Sequence, residues 1–128
     1  MIPTVFSPLS LWRAGATLGS TGILLATYGA HALKNTVSDP AWIKNWQTAT
    51  NYQLLHALAI LYLSNAHHPA TNQSPLLAGT LMTIGTTMFS GVLYLKTLSV
   101  KARVSRILAP TVPIGGLLMC AGWAFLWF

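Results

Sequence analysis

Acidic side chains are almost absent from this chain of 128 residues: Asp39 is the only one, and glutamate does not occur. Charged residues make up 6% of the chain, whereas an average soluble domain carries roughly 25%. A surface with so little charge could not keep a compact globule dissolved in water. The shortage therefore excludes an ordinary soluble enzyme and favours an integral membrane protein.

Catalytic and metal-binding side chains are also scarce. The single cysteine, Cys120, excludes a disulfide scaffold and a cysteine-based zinc site. Zinc and di-iron sites need three or more ligands, usually with carboxylates, and Asp39 is the only side chain of that kind. Ser90 lies in MFSGVLY, which is not a nucleophile turn, and the loop histidines His67 and His68 are expected to be solvated. We predict that the protein is not an enzyme and holds no metal or cofactor.

Long apolar runs are the main feature of the sequence. They cover residues 14–33, 46–64, 75–98 and 107–128. A helix of 20 residues is ~30 Å long, which is the thickness of the hydrocarbon core of a bilayer. The runs predict an all-α fold in one membrane domain covering 1–128, a four-helix bundle with both termini on the same side.

Positive charge is concentrated beside two connections, 34–45 and 99–106. Six of the seven basic residues lie there: Lys34, Lys44, Lys96, Lys101, Arg103 and Arg106. Basic residues at the ends of apolar runs anchor to lipid headgroups and mark the cytoplasmic or matrix side. We therefore expect the bilayer as the partner of these residues, and no nucleic acid.

Small residues recur every three or four positions in the first run. Close approach of helix backbones through such residues holds helices together in lipid. The pattern predicts internal packing of the bundle, with a homo-oligomer seam on the first helix as the alternative. The predicted helix-packing residues are Gly15, Gly19, Gly22 and Ala26, with Gly115 and Gly116 in the last run.

A polar face interrupts the second run. Thr48, Tyr52 and His56 are spaced four residues apart and share one side of a helix, with Gln53 beside them. His31 ends the first run and would approach the beginning of the second. An unpaired polar group in hydrocarbon costs several kcal/mol, so each of these needs a partner. Two interpretations are open: a neutral histidine bonded across helices, which we favour, or a functional histidine that acts as a proton relay, a quinone contact or a metal ligand.

Five short segments together resemble a known family. They are GAHALK at 29–34; Trp46 with TA at 48–49, YQ at 52–53 and HA at 56–57; FSG at 89–91 with LY at 93–94; PIGG at 113–116; and GW at 122–123. The chain is similar over almost its whole length to the small four-span membrane proteins of the bacterial YgdD and animal transmembrane protein 256 type. The resemblance implies an all-helical membrane protein and brings no activity with it.

The resemblance also bears on location. The Asp39-Pro40 linker and the tryptophans after it look similar to eukaryotic, fungal-type members of the family. This favours the mitochondrial inner membrane, with a bacterial plasma membrane as the alternative. We predict a structural or accessory component of a larger inner-membrane assembly such as a respiratory-chain complex. The alternative is a small quinone- or lipid-binding or carrier protein that uses His31, Thr48, Tyr52, Gln53 and His56.

Overall fold

The computed structural model describes residues 6–66, 75–98 and 102–127. Within them the chain forms helices and no strand, so the all-α prediction is confirmed. The helices are α1 (Pro8–His31), α2 (Leu33–Thr36), α3 (Pro40–Asn65), α4 (Pro75–Thr97), α5 (Ala102–Leu108) and α6 (Thr111–Ala124). Three predicted features, namely His67, His68 and Lys101, lie outside the described residues.

Two of the long helices begin at a proline that follows a capping side chain. The Ser7 hydroxyl accepts a hydrogen bond from the Ser10 amide at 3.2 Å, and α1 begins at Pro8. One Asp39 oxygen accepts from the Ala41 amide at 2.9 Å, and α3 begins at Pro40. Proline suits the first helical position because that position needs no amide hydrogen. The cap explains why α1 begins six residues before the apolar run at residue 14.

The long helices pack in chain order, α1 on α3, α3 on α4 and α4 on α6. Neighbours are antiparallel, because Gly15 near the start of α1 meets Leu61, whereas Gly29 near its end meets Trp46. The same reversal relates α4 to α6, where Gly85 lies on Gly115 and Met82 lies on Gly122. The result is an up-down bundle of helices with α3 and α4 in the middle.

Two apolar clusters define the two ends of the bundle. The terminal end contains Leu11 and Leu63, with Phe6 and Phe125 packed beside them. The chain therefore enters and leaves the bundle at the same end. The opposite end, called the basic end here, contains a second cluster around Trp46 and the described cations Lys34, Lys44, Lys96, Arg103 and Arg106.

Two stretches of the described chain are long and apolar enough to cross a membrane. They are 75–97, with mean hydropathy 1.5, and 105–124, with mean hydropathy 1.6. Helices α1 and α3 have 24 and 26 residues but are less apolar, since α1 is rich in Gly, Ser and Thr and the first half of α3 is polar. The predicted spans 14–33 and 46–64 stay predictions.

Glycines allow the closest helix contacts. A Cβ atom at Gly85 would lie 2.6 Å from the Gly115 carbonyl oxygen, and a Cβ atom at Gly115 would lie 2.7 Å from the Gly85 oxygen. Here backbone meets backbone, so no flexible side chain can move aside. The contact between α4 and α6 therefore needs glycine on both helices, as small-residue packing in membranes does generally.

Substitution of these glycines tests the contact. Gly85→Ala should lower the free energy of unfolding by about 1–3 kcal/mol, because α4 and α6 must move apart. The matched control is Gly91→Ala on the same helix, where an added Cβ atom meets nothing within 4 Å and alanine should add up to about 1 kcal/mol through helix propensity. Unfolding of the full chain in detergent, followed by circular dichroism, measures both. Equal stability of the two variants would contradict the close contact.

Candidate functional site: a buried polar cluster

Gln53 joins three helices through its side-chain amide. Its side chain is 3% exposed. The amide nitrogen donates to the Leu18 carbonyl at 2.8 Å and to the Thr21 hydroxyl at 2.9 Å, both on α1. The amide oxygen accepts from the Tyr94 hydroxyl of α4 at 2.7 Å. Both donor hydrogens of Gln53 are therefore used, and the residue acts as a cross-link between α1, α3 and α4.

His56 is held by one bond at each ring nitrogen. Its Nδ1 lies 2.8 Å from the Tyr52 carbonyl oxygen, and its Nε2 lies 3.1 Å from the indole nitrogen of Trp123 on α6. A carbonyl can only accept and an indole N–H can only donate. The ring must therefore donate from Nδ1 and accept at Nε2, which describes a neutral histidine. His56 thus connects α3 to α6, and neither nitrogen is free for a ligand.

At the basic end, the side chain of Trp46 also makes a hydrogen bond between two helices. Its indole nitrogen donates to the Leu25 carbonyl at 2.8 Å, which ties α3 to the end of α1. Gly29 makes room for the ring, because a Cβ atom there would lie 2.5 Å from Trp46. The ring also lies against Tyr94, with 4.7 Å between centroids. Nearby, the Ser90 hydroxyl donates to the Ala49 carbonyl at 2.8 Å and links α4 to α3.

The structure gathers only some of the predicted site residues. Gln53 and His56 are buried in the cluster, and the ring of Tyr52 stacks beside His56 while 44% of the residue stays exposed. Thr48 is half-buried and takes no part in these hydrogen bonds. His31 is exposed at the basic end, two residues after Gly29. Gly29 packs on Trp46, which lies ten residues or ~15 Å along α3 from His56. His31 and Thr48 therefore do not join Gln53 and His56 in one pocket.

Tyr94 and Trp123 are the residues of the cluster that the sequence reasoning did not select. A signal for them existed: a buried tyrosine hydroxyl or tryptophan N–H needs a hydrogen-bond partner. Both occur in strongly apolar helices, where partners are scarce. Pairing them with the polar face of α3 would have indicated Gln53 and His56. Among the described residues, no group of three or more His, Cys, Asp or Glu side chains could hold a metal ion.

The predicted packing glycines of α1 face α3. A Cβ atom at Gly15 would lie 2.8 Å from Leu61, and one at Gly22 would lie 2.8 Å from Leu54. At Gly19 the nearest atom is the Cβ of Ala57, at 3.8 Å, and Ala26 is half-buried. Of the two glycines predicted on α6, Gly115 makes a close contact, whereas the nearest atom to Gly116 is 4.0 Å away in the ring of Phe89.

Thr86 differs from Gln53 and His56, because its buried side chain is not hydrogen-bonded within the part of the chain that the structure describes. Its residue is fully buried on α4, and its hydroxyl has no hydrogen-bond partner among the described residues. The next threonine toward the start of the helix, Thr83, donates to the Gly79 carbonyl at 2.8 Å. A buried hydroxyl without a partner costs about 1–3 kcal/mol. The bundle therefore carries one removable defect.

Replacing the threonine by valine of the same shape tests this assignment. Thr86→Val should raise the free energy of unfolding by about 1 kcal/mol, because the unsatisfied hydroxyl is gone. Thr83→Val is the control and should lower it by about 1 kcal/mol, because that hydroxyl is bonded. Thermal unfolding of the full chain in detergent compares the two. If Thr86→Val is destabilised as much as Thr83→Val, the hydroxyl of Thr86 has a partner.

Beside His56 an open apolar groove of about 340 Å³ runs between α3 and the end of α6. Leu55, Leu58 and Tyr62 line it from α3, and Trp123 and Leu126 line it from the α6 side. The indole of Trp123 thus has one edge bonded to His56 and the remainder in the groove. The groove offers an apolar surface and no charged group.

Long helices joined by inward hydrogen bonds define a class: a small all-α membrane protein whose polar side chains brace its own helices. The comparisons with known proteins agree. Residues 25–116 match a family described as a protein of unknown function (DUF423), and the chain belongs to this family. The resemblance to YgdD-like proteins that the sequence indicated is confirmed.

Relatives in fungi and bacteria cover most of this chain. The UPF0382 membrane protein C1782.12c of Schizosaccharomyces pombe is 38% identical over 117 residues, which are 91% of this chain and 97% of the relative. A UPF0382 membrane protein of Staphylococcus haemolyticus is 35% identical, over 88% of this chain and 87% of its own. The UPF0382 inner membrane protein YgdD of Escherichia coli K12 is 34% identical, over 87% and 81%. No solved structure matches the chain.

Proposed function

We propose that the protein is a non-catalytic, structural component of a larger inner-membrane assembly, such as a respiratory-chain complex. The observation that carries the proposal is the use of the polar cluster. The amide of Gln53 and both ring nitrogens of His56 are spent on bonds between helices. Such bonds fix the bundle and leave neither an amide hydrogen of Gln53 nor a ring nitrogen of His56 for a reactant, so the surface we consider for contact with other molecules is the outer one.

The outer face of α1 is the surface that suits a partner helix. Alongside the large exposed side chains of Ile23 and Leu24, it exposes small side chains. The hydroxyls of these small residues are satisfied within the helix: Thr17 donates to the Arg13 carbonyl at 2.8 Å, Ser20 to Ala16 at 3.0 Å and Thr27 to Ile23 at 2.9 Å. Small residues with hydroxyls let another transmembrane helix approach closely. A helix that faces only lipid does not require small residues for close packing, so their presence supports a protein neighbour on this face.

For the location, we propose the mitochondrial inner membrane with the basic loops 34–45 and 99–106 on the matrix side. Support comes from the collection of five described cations at the basic end, since positive loops stay on the matrix or cytoplasmic side. The similarity to a fungal membrane protein across 97% of that protein is compatible with it. The bacterial plasma membrane is the corresponding compartment for the bacterial relatives.

The alternative, a quinone- or lipid-binding carrier, has less support. It requires His31, Thr48, Tyr52, Gln53 and His56 to present polar atoms to one ligand. Gln53 and His56 already bond to protein groups, and His31 lies at the basic end. The groove beside Trp123 has an apolar lining and would offer such a ligand little polar recognition.

Native electrophoresis of gently solubilised membranes tests the structural role. The wild-type chain should migrate with a complex much larger than itself. Ser20→Trp, on the outer face of α1, should release it as a free chain, because the bulky ring blocks a close helix contact. Leu117→Trp is the control, on the exposed side of α6, and should stay in the complex.

Two outcomes would contradict the proposal. Migration of the wild-type chain as a free monomer, or as an oligomer of this chain alone, would exclude an accessory role. Retention of Ser20→Trp in the complex would exclude the α1 face as its contact surface.

A further inference from the structure

Two arginines share one side of the short helix α5. Arg103 and Arg106 are three residues apart and therefore lie on neighbouring turns of the same face. Together with Ile107 they line an open groove of about 620 Å³. The groove lies at the basic end, where the chain passes from α4 to α6. It is separate from the polar cluster and from the groove beside Trp123.

This end of the molecule has almost no negative charge of its own. Lys34, Lys44 and Lys96 add to the two arginines, and Asp39 is the only acidic side chain of the chain. That carboxylate caps α3 by accepting the Ala41 amide. The arginines of α5 must therefore find their counter-charge outside the chain.

Apolar surface begins at the groove itself. Ile107 is 67% exposed, and exposed side chains continue along α6 with Ile114 and Leu117. A ligand that suits this combination has an anionic head for the arginines and hydrocarbon for the isoleucine and the helix beyond it. Free phosphate or a polynucleotide would leave the apolar part uncovered.

We propose that the groove at Arg103 and Arg106 binds the phosphate headgroup of an anionic phospholipid, with the acyl chains along the outer face of α6. Guanidinium groups present paired donors that match two phosphate oxygens at once. Basic groups at the cytoplasmic or matrix side of membrane helices attract anionic lipids in the same way. The site makes the protein selective for lipid charge at one of its two ends.

Native mass spectrometry of the full chain in neutral detergent tests the proposal, with dioleoyl phosphatidylglycerol as the probe. The wild-type chain should retain this lipid in preference to dioleoyl phosphatidylcholine, which carries no net charge. Arg103→Gln with Arg106→Gln should weaken retention about 25-fold, since each positive charge near an anionic lipid contributes about fivefold. Arg13→Gln, at the terminal end, is the matched control and should leave retention unchanged.

Further measurements distinguish a lipid headgroup from free phosphate as the ligand, and they check that the variants fold. Circular dichroism checks that each variant keeps its helices. If the double glutamine variant loses them, Arg103→Lys with Arg106→Lys replaces it and should weaken retention severalfold, because lysine keeps the charge but loses the paired donors. Inorganic phosphate at the same concentration should not displace the lipid.

If the wild-type chain retains the lipid, four results would overturn the proposal. They are equal retention of phosphatidylcholine, undiminished retention by the folded double variant, an equal loss in Arg13→Gln, and displacement of the lipid by inorganic phosphate. Absence of lipid retention by the wild-type chain would also overturn it and would direct attention to an acidic protein segment as the ligand of the groove.

Discussion

Hydrocarbon supplies no hydrogen bonds, and this constraint explains how the polar residues of the chain are arranged. Each buried polar side chain must find its partner within the protein. Gln53 does so on α1 and α4, and His56 does so on its own helix and on Trp123 of α6. Most of these hydrogen bonds join different helices. The need of buried polar groups for hydrogen bonds therefore also fixes the order and the register of the helices. Thr86, which lacks a partner, shows what the remaining residues avoid.

Close packing and charge complete the arrangement. Gly85 and Gly115 let the backbones of α4 and α6 touch, and Gly29 makes room for the indole of Trp46. Without such contacts the donors and acceptors of the cluster would be too far apart to bond. Cations collect at the basic end, as is typical of helix ends that meet lipid headgroups. The interior and the basic end therefore differ: polar groups in the interior bond to one another, and the basic end carries most of the positive charge.

The sequence predicts the class of fold well, because composition and apolar runs depend only on whether the helices are surrounded by lipid or by water. The start of α3 at Pro40 is indicated by Asp39 as a capping residue, whereas the start of α1 at Pro8 is missed because the apolar run begins only at residue 14. The site is harder to predict, because it depends on which faces of distant helices meet. Spacing along α3 placed Tyr52 and His56 on one face, yet the partner of His56 is 67 residues away in the chain. Periodicity within one helix contains no information about that pairing, and His31 was grouped with the cluster for the same reason.

A double-mutant cycle on Gln53 and Tyr94 tests the central claim most directly. Unfolding free energies of Gln53→Leu, Tyr94→Phe and the double variant are measured on the full chain in detergent. The account predicts a coupling energy of about 0.5–3 kcal/mol, because each single change leaves the other group buried without its partner. A second cycle of Gln53→Leu with Thr80→Val, toward the other end of α4, should be additive. Additivity of Gln53 and Tyr94 within about 0.3–0.5 kcal/mol would contradict the claim that bonds between buried side chains hold the helices in register.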